Sequence, residues 1–291
     1  MNSTIINPTL VVGDCRTELT KIATESVDLV TTDSPYNIGL KYNDVYNDAQ
    51  NPEAFLGMIR DALLQVRRVL KPNGSLFFFM GSEYQAECLV LLKWMGFHVR
   101  NTIAWYTTFG QAQQSKFTKS WVAIHYVTKH PTDFTFNADA VRVPSARQLR
   151  YGDKRANPNG KVPDDTWVLL PDEQAPECFD PASDLWLQSR LCGTFKERVG
   201  HATQLPLPLV ERIVKVASNP GDLVLDPFAG TGTTLVAAMR LGRRSIGIEI
   251  SPQTAEIAQR RFADVNASSV DRTRSVEVSD AASSDAISGT E

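Results

Sequence analysis

Apolar and polar positions fall into alternating blocks along this chain. Short apolar runs rich in β-branched and aromatic residues are followed by longer stretches whose apolar residues recur every three or four positions. The runs Leu10–Gly13, Val27–Thr32, Ser75–Met80, Phe97–Trp105, Val122–Thr128, Asp222–Asp226 and Ser245–Ile250 predict strands. Pro52–Leu70, Glu83–Met95, Pro206–Ser218, Thr233–Leu241 and Pro252–Phe262 predict helices. Pro52 and Pro252 stand where a first helical turn tolerates a missing N–H, and Asn73-Gly74 and Gly96 stand as stops. The run SLFFFM at Ser75–Met80 is too apolar to alternate, so its strand is expected to be covered on both faces. This order predicts an α/β fold built on an open, mostly parallel sheet.

Two segments break the rhythm. From Thr107 to Arg198, prolines and the turn Asn157-Pro158-Asn159-Gly160 make a stretch too long for a loop within a compact sheet. It reads as an inserted recognition region, 107–198, with a scaffold strand near 122–128. Residues 266–291, rich in Ser, Asp and Ala and lacking any aromatic, read as a disordered acidic tail. The remainder divides into 1–106 and 199–265.

Composition adds mainly exclusions. With 42% apolar and 22% charged residues the chain is an ordinary globular sequence. Its apolar runs fall far short of the roughly 20 residues that span a bilayer. The N-terminus lacks a basic region followed by an apolar stretch, so a cytoplasmic location is expected, without membrane or secretory signal. Cys15, Cys88, Cys178 and Cys192 form no C-x-x-C pair and only four histidines accompany them, so neither a metal site nor a disulfide framework is expected. The net charge of −3 conceals an uneven distribution. Residues 100–161 carry ten Lys or Arg against three Asp, and residues 162–186 carry seven acids and no base. The basic block suits a phosphate-facing surface, and on charge alone it equally suits a solvated face.

Candidate chemistry lies at strand ends. Asp226-Pro-Phe-Ala-Gly-Thr-Gly-Thr-Thr234 follows the run DLVLD and precedes a helix, a turn that presents free backbone N–H groups to a ligand. It has no third glycine at the dinucleotide spacing and no Gly-Lys-Ser/Thr, so glycines alone leave a structural turn and a cofactor loop equally open. Glu249, at the end of the next run, tips the reading toward nucleoside binding, because an acid there can bond two ribose hydroxyls. Asp33-Ser34-Pro35-Tyr36-Asn37 ends the run VDLVTT, where open α/β sheets place ligands; by itself it also reads as a polar turn with a packed Tyr.

Together DPFAGTGTT followed by GIEIS, DSPYNIG after DLVTT, and HATQLPLPLVERIV before the glycine loop resemble the β-class amino-methyltransferases of DNA, over roughly residues 8–265. The resemblance implies a Rossmann-like methyltransferase fold, circularly permuted so that the catalytic motif precedes the recognition region and the cofactor motif. It implies S-adenosylmethionine as cofactor and double-stranded DNA as substrate. On that reading Asp226, Phe228, Ala229, Gly230, Thr231, Gly232, Thr233 and Thr234 wrap the methionine part, and Glu249 with Ile250 holds the ribose. Asp14 accepts from the cofactor's exocyclic amine, with Cys15 in the same turn, and His201, Thr203 and Gln204 approach the methionine end. Asp33 borders the cofactor and, with the carbonyl of Ser34, accepts the N–H groups of a target amine. Pro35 stiffens the turn, and Tyr36 stacks on a base flipped out of the duplex. Ser34, Ala202 and Leu205 stand where the family has Pro, Pro and Lys.

The implied function is transfer of a methyl group to N6 of adenine at a specific DNA sequence. N4 of cytosine, an RNA substrate and a catalytically weak DNA-binding module remain as alternatives. Arg142, Arg147, Arg150, Lys154 and Arg155 are the candidate DNA contacts. A cognate restriction endonuclease and a homodimer are the expected partners.

Overall fold

The computed structural model describes residues 6–42, 45–106, 114–115, 117–149, 151–168, 179–180, 185–186 and 204–267. The chain opens with β1 (Thr9–Val12), α1 (Cys15–Glu18), β2 (Val27–Asp33) and the short ribbon β3 (Lys41–Tyr42) and β4 (Tyr46–Asn47). Then come α2 (Pro52–Val69), β5 (Leu70–Met80), α3 (Gln85–Trp94), β6 (His98–Tyr106) and β7 (Trp121–Thr128). A less regular part holds α4 (Ala146–Leu149), β8 (Thr166–Val168) and a second ribbon, β9 (Phe179–Asp180) with β10 (Leu185–Trp186). The last part holds α5 (Leu207–Ala217), β11 (Leu223–Asp226), α6 (Thr233–Arg240) and β12 (Arg244–Glu249), followed by α7 over residues 252–267.

Eight strands form one sheet in the order β1-β12-β11-β2-β5-β7-β6-β8. The first five pair in parallel. β7 is antiparallel to both β5 and β6, and β8 is parallel to β6. β6 and β8 therefore run in the same direction as β5, and their C-terminal ends share an edge with those of β2, β11 and β12. From β11 the chain crosses by α6 to β12 on one side; from β2 it crosses by α2 to β5 on the other. The winding direction thus reverses between β11 and β2, the place where open α/β sheets leave a crevice.

The apolar run of β5 explains the layering. Phe77 and Phe79 face a core with α5, α6 and residues Ala258 and Phe262 of α7. Leu76, Phe78 and Met80 face the opposite core, with α2 and residues Cys88 and Leu92 of α3. Both faces are covered, so burial of each of these side chains contributes about 1.5–3 kcal/mol. On α2, Asn51 caps the first turn by accepting the Ala54 N–H at 2.8 Å. Phe55, Met58, Ile59, Ala62, Leu63, Val66 and Val69 then bury one helical stripe.

Three differences from the sequence expectation have local causes. β5 starts at Leu70, because Leu70 pairs with Val27 ahead of a register shift, and Lys71 Nζ reaches Asp28 Oδ1 at 2.6 Å. β8 is an edge strand of three residues, too short to show a period. α7 continues to residue 267, where an earlier end is expected, and the candidate tail from 268 onward lies outside the described residues. No helix of the described residues is long and apolar enough to cross a membrane.

Candidate active site

Three adjacent strands end in an acid: Glu249 on β12, Asp226 on β11 and Asp33 on β2. All three line one cleft at the C-terminal edge of the sheet, together with Asp14 from the turn after β1. Local chemistry shapes the loop between β11 and α6. The Ala229 N–H donates to the Ile248 carbonyl at 2.8 Å, laying the loop along β12. A Cβ on Gly247 would stand 2.9 Å from that of Ala229, so only glycine permits this approach. Gly232 sits at φ 77° as the cap of α6, and a Cβ there would meet the Phe262 ring at 2.8 Å. Arg261 of α7 braces the loop from behind, its Nη1 donating to the Thr231 carbonyl at 2.7 Å and lying 3.0 Å from Thr233 Oγ1.

The acids carry unequal burdens. Glu249 accepts the Gly230 N–H on Oε2 at 2.9 Å and the Ser251 N–H on Oε1 at 2.8 Å. Burial raises its pKa, and those two N–H groups act against the rise. Asp226 is 3% exposed and accepts the Phe228 N–H at 3.1 Å. Burial pushes its pKa up to about 6 although the Thr234 hydroxyl supports the charged form. Asp14 differs: Arg16 forks both of its oxygens, with Nη2 on Oδ2 at 2.6 Å and Nε on Oδ1 at 3.1 Å, and holds its pKa below the ordinary value. Arg16 is the only Lys or Arg among the described residues lining the cleft, and Asp14 occupies it. Two carboxylates held above their usual range beside an apolar wall of Met58, Leu205, Phe228 and Ile248 suit a ligand with positive charge, hydroxyl donors and a flat ring. S-adenosylmethionine has all three.

Asp33 and Ser34 close the other end of the cleft. Ser34 is 3% exposed. Tyr36 donates its hydroxyl to Asp33 Oδ1 at 2.5 Å, and its ring lies on Gly81, where a Cβ would stand 3.0 Å away. Tyr36 is thus partly buried, with its hydroxyl on the acid. Cys15 also lines the cleft, and burial raises its thiol to about 12, so it stays protonated at neutral pH.

Of the residues singled out in the sequence, Asp14, Cys15, Asp33, Ser34, Pro35, Tyr36, Gln204, Asp226, Phe228, Ala229, Gly230, Thr231, Thr233, Thr234, Glu249 and Ile250 meet in this cleft. Gly232 stands behind it. His201 and Thr203 lie outside the described residues. Arg16, Tyr46, Met58, Ser251 and Thr254 also line the cleft and were not singled out. Ser251 directly follows GIEI and was within reach of the motif, whereas Tyr46 and Met58 carry no local signal. Leu205, where the family has Lys, is 7% exposed and forms part of the apolar wall.

The candidate DNA contacts lie elsewhere, Arg142 directly before the bridge pair Val143 and Lys161 and the others between its two residues. Arg142 donates to Asp139 at 2.6 Å and to the Gly160 carbonyl at 3.1 Å. Arg147 and Arg155 share Asp153, at 2.7 and 3.0 Å. Lys154 is exposed, and Arg150 lies outside the described residues.

The family model described as DNA methylase, of N6/N4 type, matches residues 27–260. The chain is 33% identical over 246 residues to the type II methyltransferase M.HpaI of Haemophilus parainfluenzae, covering 84% of this chain and 70% of the relative. It is 32% identical over 266 residues to the DNA adenine methyltransferase YhdJ of Escherichia coli, covering 87% of this chain and 82% of the relative. Among solved structures, the Thermus thermophilus protein TTHA0409, complexed with S-adenosyl-L-methionine, superposes with a TM-score of 0.57 at 28% identity. That match covers 89% of this chain and 95% of the other.

Proposed function

This chain belongs to the N6/N4-type DNA methylase family, and on that premise we propose that it methylates N6 of adenine at a specific sequence in duplex DNA. The observation that carries the reading is the shared cleft: Asp33-Ser34-Pro35-Tyr36 opens into the same space as Asp226, the glycine loop and Glu249. A cofactor and a target base held there meet end to end.

S-adenosylmethionine supplies the methyl group, activated on a sulfonium. The chain's own residues do the rest. Glu249 would hold the ribose hydroxyls on the lone pairs left by Gly230 and Ser251, and Asp226 would hold the methionine part with the glycine loop. An exocyclic amine is a poor nucleophile because its lone pair is delocalised into the ring. Asp33 and the Ser34 carbonyl each accept one N–H, drawing the nitrogen toward tetrahedral geometry and freeing that pair. The Tyr36 hydroxyl fixes the orientation of the Asp33 carboxylate. Its ring supports the flipped base. The product ammonium loses its proton to Asp33 or to solvent.

The relative YhdJ, a DNA adenine methyltransferase by name, supports adenine over cytosine. Residues 107–198 serve target recognition on this reading. In support, β6 and β8 both end on the edge of the sheet that holds the cleft, and Lys119 pairs with Glu83, two residues after Gly81. Arg147, Arg150, Lys154 and Arg155 contact phosphates, while Arg142 chiefly braces its own segment. A companion restriction endonuclease fits the type II relatives. A homodimer would use the exposed Val90 and Trp94 of α3, and sedimentation reads it directly. The main test is expression in a methylation-free host followed by sequencing of modified bases. N6-methyladenine within one short motif is expected; N4-methylcytosine or unmodified DNA would overturn the reading.

A further inference from the structure

The stretch between the catalytic turn and α2 is a part of the cleft wall to which the mechanism assigns nothing. Asp48 lies there, 2% exposed. Its carboxylate accepts three backbone N–H groups from one turn: Asn37 on Oδ1 at 2.9 Å, and Ile38 and Leu40 on Oδ2 at 3.0 Å each. Its own carbonyl accepts the Gly39 N–H at 2.9 Å. A second tie lies beside it. Asn37 donates to the Gln50 carbonyl at 2.9 Å and accepts the Gln50 N–H at 2.7 Å.

These bonds strap residues 37–40 to residues 48–50, stitching the chain where it leaves Tyr36 to the chain where it reaches α2. The stitch falls on strained backbone, since Asn37 has φ 57°, which a residue with a Cβ adopts reluctantly. Tyr36 and the Ser34 carbonyl lie within three residues of that point. A turn held so firmly, directly after two groups that must meet an amine at near-attack distance, has a use beyond stability.

We propose that Asp48 is a positioning residue for methyl transfer: by holding the amides of residues 37–40 it sets the Ser34 carbonyl and the Tyr36 ring against the target base. The proposal rests on the reading of Asp33–Tyr36 as the site of the target amine. It requires that loosening the strap slow the chemical step while leaving the binding of both substrates in place.

Asp48→Asn in the full chain turns one acceptor oxygen into an N–H donor facing another donor. Single-turnover methyl transfer is expected to fall thirtyfold or more, with the DNA KM and the cofactor Kd within threefold of wild type. Tyr46 is on the same strap and lines the cleft, so collapse of the whole strap would appear as weakened cofactor binding. Asn37→Gly is the second variant: glycine accepts the positive φ without strain, so the side-chain bonds to Gln50 and the one donated to the Tyr84 hydroxyl at 3.2 Å are lost, and a tenfold slowing is expected. Both variants turning over within threefold of wild type would overturn the proposal. So would a slowing matched by equal losses of cofactor affinity and melting temperature. If Asp33→Ala is inactive while Asp48→Asn is normal, the role of Asp48 alone falls. If Asp33→Ala is active as well, the reading of the site falls with it.

Discussion

Asp226, at the end of β11, and Asp153, after α4, are both held by hydrogen bonds, yet their surroundings push them in opposite directions. Asp226 is buried beside Glu249, and desolvation raises its pKa to about 6. Asp153 is gripped first by Arg155 and then by Arg147, which hold its carboxyl well below the usual range. The cleft is therefore short of positive charge until a cationic ligand arrives. Arg147 and Arg155 of the basic segment already share a carboxylate, so DNA must compete for these two arginines. One site gains by filling, and the other must exchange partners before it gains.

The largest expected effects separate the two ends of the cleft. Asp33→Ala should lower kcat at least a thousandfold, about 4 kcal/mol of barrier, with cofactor affinity nearly unchanged, because its bond to the amine strengthens only as the nitrogen rehybridises. Glu249→Ala should do the reverse, weakening the cofactor thirtyfold or more, since each lost charged hydrogen bond is worth about 1.5–3 kcal/mol. Calorimetry beside single-turnover kinetics checks both. If Glu249→Ala binds the cofactor normally in a folded protein, the ribose assignment fails.

Asp226 tests the claim of a missing charge. Its folded pKa of about 6 lies above the ordinary 3.8, so the unfolded chain releases the proton first. Stability from this group is present below about pH 4 and is lost as pH rises through about 6. Asp226→Asn, neutral at every pH, should then be the more stable protein near pH 7, by at most about 3 kcal/mol, with the gain fading toward pH 4. The same variant should bind S-adenosylmethionine less well. Urea unfolding at both pH values decides it, and a variant less stable near neutrality would mean that the carboxylate is already compensated.

How far each region could be read in the sequence follows from the range of the forces that build it. Asp33, Asp226 and Glu249 end apolar runs, and the glycine loop obeys local rules of backbone and close approach, so strand ends and site were legible together. Asp48 was not. Its partners are backbone amides eight to eleven residues earlier, and an acid in a polar loop looks the same whether it is buried or solvated. β8 was missed for a related reason, since Thr166–Val168 owes its pairing to β6, far away in sequence. In the basic segment the charge run was legible, but not that Asp153 lies between Arg147 and Arg155 in space.

The smallest expected effect belongs to that pairing. In the free protein Asp153 accepts from Arg147 Nε and Arg155 Nη2, and its Oδ1 also accepts the Arg155 backbone N–H at 2.9 Å. Asp153→Asn keeps an oxygen for that backbone bond while removing the charge that competes with phosphate. If these arginines reach DNA, affinity should rise roughly threefold at moderate salt, because both guanidinium groups are released and one repulsion is gone. The salt dependence should steepen by at most about 0.9 log–log units for each additional phosphate neutralised. Replacing both arginines by Ala should flatten it by a similar amount per phosphate released, with cofactor affinity unmoved. An unchanged slope in Asp153→Asn would mean that the two arginines never trade Asp153 for phosphate, and the segment would then be a self-satisfied surface. A fall in affinity would mean that the carboxylate shapes the segment for DNA rather than competing with it, and the contrast with Asp226 would become one of burial alone.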